Sequence, residues 1–253
     1  MLKRFFGAGR KPAAALPKAP ENSRIYAVGD IHGRLDLLRR LHGLISDDAA
    51  RHPATRRVVV YLGDYVDRGE DSAGVIDLLL GDPLPGFESV YLLGNHEEMM
   101  LDFFEDISIA RSWMTNGGAD TLMSYRVSPP MIFADEAVVT QVQQDLAGRL
   151  PEPHRAFLEG LSLSHQEGDY FFAHAGIRPG VPLEKQEKRD LIWIRNPFLE
   201  SEQAHGKVIV HGHTITDEPD FRRNRIGIDT GAYATGRLTC LLLEGSNREF
   251  LQT

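Results

Sequence analysis

"RRVVVYLGDYVDRG", residues 56–69, decides how this chain is read. Its first half is an unbroken β-branched and apolar run, the composition of a strand covered on both faces. Its second half places Asp64, Asp67 and Arg68 directly behind that run, with Glu70 one residue further on. Desolvation penalises every unpaired ion at the end of a buried strand, so these charges must have partners or work to do.

The same pattern recurs on both sides. "RIYAV" (24–28) runs into "GDIHG" and then into "RLDLLRRLHGLI", whose apolar residues fall at helical spacing. "SAGVIDLLL" (72–80) reads as the helix after the opening stretch. "FESVYLL" (87–93) runs into "GNHEE", with the helical "EMMLDFFEDISIA" behind it. Asp30 to Asp64 is 34 residues and Asp64 to Asn95 is 31. Each interval matches one βαβ unit, which returns a parallel strand with the same end up, so the polar clusters are expected on one rim. "DYFFAHAG" (169–176) and "KVIVHGHT" (207–214) repeat the pattern with histidine at the strand end. One such turn is an ordinary satisfied strand end; five in one chain are harder to dismiss as that. Glycine beside each cluster lets backbones crowd around a small centre.

The 79 residues from Asn95 to His174 exceed any simple connection. "DFFEDISIARSWM", "VVTQVQQDLAGRL" and "PEPHRAFLEGL" predict a mainly helical insertion, about residues 99–166, that caps or flanks the rim. "RIGIDTGAYATGRLTCLLLEG" predicts closing strands and a hairpin, with "EFLQT" as one strand more.

With 253 residues, 42% of them hydrophobic, the expectation is one α/β domain over 23–253 behind a disordered basic tail, 1–22. Residues 1–20 hold five basic side chains and no acid; the rest carries 23 basic against 36 acidic groups, a balance of −13. A body that acidic repels phosphate backbones, which argues against a nucleic-acid partner. The lone Cys240 sits in "LTCLLL", where a buried inert thiol is expected. The sequence shows neither a secretory signal nor a membrane span, and the expected location is cytoplasmic.

The strand-end set is Asp30, His32, Asp64, Asn95, His174 and His213: oxygen and imidazole donors without thiolate. Such donors suit manganese, iron or zinc. Two carboxylates brought together need a cation, and a divalent pair removes their repulsion. Asp30 and His32, two apart in extended chain, are expected to share one ion while Ile31 packs inward. Asn95 and its neighbour diverge, which leaves His96 as a candidate general acid with Asp67 to orient it.

In this order, "GDIHG", "GDYVDRG", "GNHEE", "HAG" and "HGHT" resemble the phosphoprotein phosphatase branch of the calcineurin-like metallophosphoesterases, nearest the bacterial and lambda-phage serine/threonine type. The resemblance covers residues 24 to 243. It implies a central β-sandwich of two mixed sheets flanked by helices in four layers. It implies that Asp30 and His32 bind a first metal, that Asp64 bridges, and that Asn95, His174 and His213 bind a second. It further implies in-line attack on phosphorus by a hydroxide shared between the two ions, with His96 as acid, Asp67 as its holder, and Arg68 and Arg195 gripping phosphate oxygens. Arg68 could instead pair with Asp67 or Glu70; its place in "DRG" favours substrate. Asn116 in "WMTNGG" and Tyr233 are expected near the site. His211 is expected to be structural, and His42, His52, His154, His165 and His205 to lie on the surface.

The expected activity is hydrolysis of phosphoserine and phosphothreonine in proteins or peptides, with phosphotyrosine and small phosphoesters as side substrates. Symmetrical diadenosine tetraphosphate hydrolases share the site but usually read "GDLVARG" and "GNHD", so Asp67 favours the phosphatase. A non-catalytic phosphate-binding scaffold would require a lost ligand position, and all six are present.

Overall fold

The computed structural model describes residues 16–54, 56–81, 84–131 and 133–253. The chain runs β1 (Ser23–Val28), α1 (Leu35–Arg51), β2 (Arg56–Tyr61), α2 (Ser72–Leu80), β3 (Glu88–Tyr91) and α3 (Asn95–Glu105). Then come α4 (Ala110–Trp113), α5 (Ala119–Ser124), α6 (Glu136–Arg149) and α7 (Glu152–Glu159). The second half is β4 (Ser164–Glu167), β5 (Tyr170–Ala173), α8 (Lys188–Trp193), β6 (Val208–His211), β7 (Asp220–Phe221), β8 (Arg225–Gly227), α9 (Ala232–Thr235), β9 (Thr239–Glu244) and β10 (Asn247–Gln252).

Two five-stranded mixed sheets result, in the orders β10-β9-β1-β2-β3 and β4-β5-β6-β8-β7. β1, β2 and β3 are parallel, as the two βαβ intervals require. β5, β6 and β8 are parallel in the second sheet. Antiparallel β9–β10 and β4 close edges.

Side-chain alternation builds the layers. On β1, Ile25 and Ala27 face the other sheet, where they meet Tyr170, Phe172, Val208 and Val210. Tyr26 and Val28 face outward against Leu38, Leu41 and Ile45 of α1. On the far side, Phe171 and Ile209 pack on Leu191 and Ile192 of α8. The order helix, sheet, sheet, helix gives four layers. β1 is buried along its whole length because it is covered twice, which is why its sequence is nearly continuous in apolar residues.

Residues 16–22, which the sequence assigns to the tail, lie along the domain. Ala19 is buried and its N–H donates to Gly245 O at 2.8 Å, while Asp169 N donates to Lys18 O at 2.9 Å. The remainder of the expected tail, residues 1–15, lies outside the described residues. Two histidines expected on the surface are buried. His42 accepts or donates with the Tyr61 hydroxyl at 2.9 Å, and His154 bridges the Tyr125 hydroxyl and Asp77, each at 2.9 Å. Both sit on helices, and the helical period alone does not say how far the apolar face extends when a polar partner waits beneath it.

Candidate active site

The C-terminal ends of β1, β2, β3, β5, β6 and β8 carry Asp30, Asp64, Asn95, His174, His213 and Asp229 to one rim. All six are buried. The loop after β1 is tied to the loop after β2: Ile31 N and His32 N both donate to Asp64 O, at 3.0 and 2.8 Å. Asp30 and His32 do not lie in extended chain, since β1 stops at Val28 and His32 has φ 49°. Ile31 is buried as expected, but left-handed backbone rather than strand alternation aims the histidine.

His32, Asp64, Asp67, Arg68 and His213 all adopt positive φ, between 49° and 72°. Non-glycine residues avoid this region, at a cost of order 1–3 kcal/mol each, and persist there only where the surroundings over-determine them. Glu97 supplies part of that constraint. Its buried carboxylate accepts from the backbone N–H of Asp64 (2.9 Å), Tyr65 (2.7 Å), Val66 (3.1 Å) and Gly94 (3.0 Å), pinning the loop after β2 to the start of α3.

Two clusters form around Asp64. One is His32, Asp64 and His96; the other is Asp64, His174 and His213; within each cluster the ligand atoms lie within 4.8 Å of one another. Backbone carbonyls set the ring orientations. His32 Nδ1 sits 2.9 Å from Val66 O and His174 Nδ1 sits 2.9 Å from Leu62 O, so these nitrogens carry the protons and the Nε2 lone pairs face the cluster. Burial pushes the imidazoles down, to about 3 for His32 and about 2 for His213, with His174 shifted the same way. Neutral rings are the form that ligates metal.

His174 makes contacts that a protein avoids without a cation. His174 Nε2 lies 3.0 Å from Asn95 Oδ1 and 3.3 Å from Asp64 Oδ1, lone pairs pointing at lone pairs. His213 Nδ1 is 2.8 Å from the same Asn95 oxygen. Burial, Asp229 and Asp64 together push the Asp30 carboxyl well above its ordinary range. Asp30 Oδ1 and His213 Nε2 are buried with no hydrogen-bond partner among the described residues. Asp30 Oδ2 accepts from His213 N at 2.9 Å, and a Cβ on Gly212 would fall on Asp30 Oδ1. Neutral imidazoles, crowded acceptors and three buried carboxylates fit a pair of divalent cations.

His96 stands beside this centre. Its Nδ1 is 2.7 Å from Asp67 Oδ2, and its Nε2 is 3.8 Å from Asp64 Oδ2. Burial pulls the ring down, but Asp64 and Asp67 outweigh that and hold it above its ordinary value. Arg68 is half-buried, donates from Nη1 to His32 Nε2 at 3.0 Å, and lies over the Tyr233 ring at 4.8 Å. Arg195 is exposed just beyond α8 and donates to His213 O at 3.3 Å. Both arginines line a cleft of about 350 Å³ together with Asn95, His96, Asn116 and Tyr233. His211, at the end of β6, points elsewhere, with its ring 5.1 Å from that of Phe198.

Thus the structure brings all ten sequence-derived positions to one rim. Sequence reasoning missed Asp229, although "RIGIDTG" shows the same signal of an apolar run ending in a carboxylate beside glycine. Glu97 left no separable signal, since in "GNHEE" it looks like a helix-start acid.

A family model described as calcineurin-like phosphoesterase matches residues 23–238. The "Bis(5'-nucleosyl)-tetraphosphatase PrpE [asymmetrical]" of Anoxybacillus flavithermus is 27% identical over 234 residues, 85% of this chain and 88% of that protein. The "Serine/threonine-protein phosphatase 2" of Salmonella typhimurium is 30% identical over 230 residues, 85% of this chain and 90% of that protein. A solved structure provisionally assigned as a diadenosine tetraphosphatase superposes with a TM-score of 0.62 at 22% identity, covering 94% of this chain and 98% of its own, and shares the fold.

Proposed function

The chain belongs to the calcineurin-like phosphoesterases, and from that premise we propose that it is a metal-dependent phosphomonoesterase that removes phosphate from serine and threonine side chains of proteins or peptides. The observation that carries the reading is the buried Asp67–His96 pair, 2.7 Å apart, beside the cleft. A serine alkoxide is a poor leaving group and needs a proton; the nucleotide expelled from a dinucleoside tetraphosphate is a weak base and does not. A dedicated acid is therefore of most use to a phosphomonoesterase.

Asp30, His32, Asp64, Asn95, His174 and His213 would hold two divalent cations, with manganese first and iron or zinc as alternatives. When bound, such a pair activates water at neutral pH and neutralises charge on the phosphoryl group. Arg68 and Arg195 grip phosphoryl oxygens from two sides of the cleft. The stacking of Arg68 on Tyr233 keeps its guanidinium fork oriented. As the bond from phosphorus to the substrate oxygen breaks, His96 passes its Nε2 proton to that oxygen. Asp67 holds Nδ1 and stabilises the imidazolium before transfer.

The relatives named as tetraphosphatases favour a second reading, hydrolysis of dinucleoside tetraphosphates. Hydrolysis of p-nitrophenyl phosphate with manganese and with chelator tests the first step: the expected release depends on metal, and its absence overturns the enzyme reading. Phosphoserine peptides and diadenosine tetraphosphate compared under the same conditions then decide the substrate. Much faster cleavage of the nucleotide replaces the first reading with the second.

A further inference from the structure

Asp67 is held by more than His96. Trp113, at the end of α4, is fully buried, and its Nε1 lies 3.1 and 3.0 Å from the two Asp67 oxygens. Thr121, on α5, donates from Oγ1 to Asp67 Oδ1 at 2.6 Å and accepts from Asp67 N at 2.8 Å. Between them the turn Met114–Gly118 reaches back to the next residue: Arg68 N donates to Gly117 O at 3.2 Å. Gly117 has φ 104°, and a Cβ there would come within 2.6 Å of Arg68 N. Trp113 is itself seated on Phe103 of α3, ring centroids 5.1 Å apart.

The contacts hold the backbone of the dipeptide and also set how the carboxylate is turned. A carboxylate bonded only to His96 could rotate about its own axis; with Trp113 and Thr121 on Oδ1, and Trp113 and His96 on Oδ2, its plane is fixed. Asp67 and Arg68 also hold φ of 72° and 68°, a backbone state that needs external support.

We infer that residues 113–121 of the helical insertion are a clamp on the Asp67–Arg68 dipeptide, in which Trp113 and Thr121 are positioning residues that set how His96 presents its proton to the leaving oxygen. This rests on the acid role proposed for His96. It gives the insertion a part in turnover besides shaping access to the rim.

The test measures kcat for a phosphoserine peptide and for p-nitrophenyl phosphate, whose leaving group needs little protonation. The variants are Trp113→Phe, Thr121→Val, Thr121→Ser and His96→Asn. Trp113→Phe and Thr121→Val are expected to slow the peptide ~10-fold and the aryl ester less than ~3-fold, with bound metal unchanged by elemental analysis. Thr121→Ser, which restores the hydroxyl, is expected to recover most of the loss, and His96→Asn to show the same leaving-group dependence more strongly. The two failures are distinguishable. If His96→Asn slows both esters equally, the acid assignment falls and the clamp with it. If His96→Asn shows the dependence while Trp113→Phe and Thr121→Val slow both esters equally, slow neither, or lose metal, the clamp alone is overturned.

Discussion

The two ends of β1 each carry a buried cluster of charge, and they are built on opposite principles. At the start of the strand, Arg24 donates to Asp48 through Nε at 2.9 Å and Nη2 at 3.0 Å, and also pairs with Glu244. The Tyr26 hydroxyl donates to Asp48 at 2.8 Å. The acceptors there meet donors, and the cation meets anions. At the far end, Asp30, Asp64 and Asp229 converge with few cations, the His174 Nε2 lone pair faces the Asn95 side-chain oxygen, and two buried polar atoms lack partners among the described residues. Burial and a charged sequence are common to both ends. What separates a structural cluster from a reactive one is whether the protein's own atoms complete it.

The largest effect that would sharpen this contrast is at the open end. Asp64→Asn should lower activity by at least ~100-fold and remove bound metal, while changing unfolding free energy in chelator by less than about 1 kcal/mol. Kinetics, elemental analysis and urea titration check all three, and a variant that keeps its metal breaks the comparison. The closed end should behave in reverse. Asp48→Asn should cost about 2–3 kcal/mol of stability by leaving Arg24 short of a charged partner, with kcat/KM within about twofold of the parent.

Metal removal is the next probe. A chelator should lower the Tm of the parent and of Asp48→Asn by roughly 5–10 °C, because ligands that bind only the folded state stabilise it by mass action. It should leave Asp64→Asn almost unmoved. Scanning calorimetry in both buffers decides it, and an equal drop in all three proteins places the stabilising metal elsewhere.

The smallest effect concerns pH. Burial works against the charge on Asp48, but hydrogen bonds from Arg24 and Tyr26 outweigh it and hold its pKa below the ordinary value. A depressed folded-state pKa stabilises above the unfolded pKa of about 3.9 and is lost as pH falls through the folded value. The stability difference between parent and Asp48→Asn should therefore be level from pH 7 to about 5 and shrink below about pH 4. Urea titrations across that range measure it, and a gap that widens in acid reverses the assigned sign.

Much of the rim was legible because each βαβ unit announces itself locally. The apolar runs ending at Val28, Tyr61 and Tyr91 are strands, and the polar residues after them reach one edge. The histidines of "HAG" and "HGHT" join them from the other sheet. Partners were harder to read. Trp113 and Asp67 are 46 residues apart, and Thr121 and Asp67 are 54 apart, with no spacing rule that links them. His42 and His154 went astray for the same reason, since Tyr61 and Tyr125 lie on other elements.

By itself the sequence determined the strand, loop and helix units, the donor types at the rim, and the presence of a helical insertion, because hydrophobic period and turn chemistry are properties of neighbouring residues. Tertiary structure alone decided that Asp30 meets His213 across 183 residues, that left-handed backbone aims His32, and that the insertion folds back onto Asp67. Those outcomes depend on how two sheets and their helices pack as solids. Placement of such bodies to within a few tenths of an ångström is set by their summed side-chain volumes, which no local window of sequence contains.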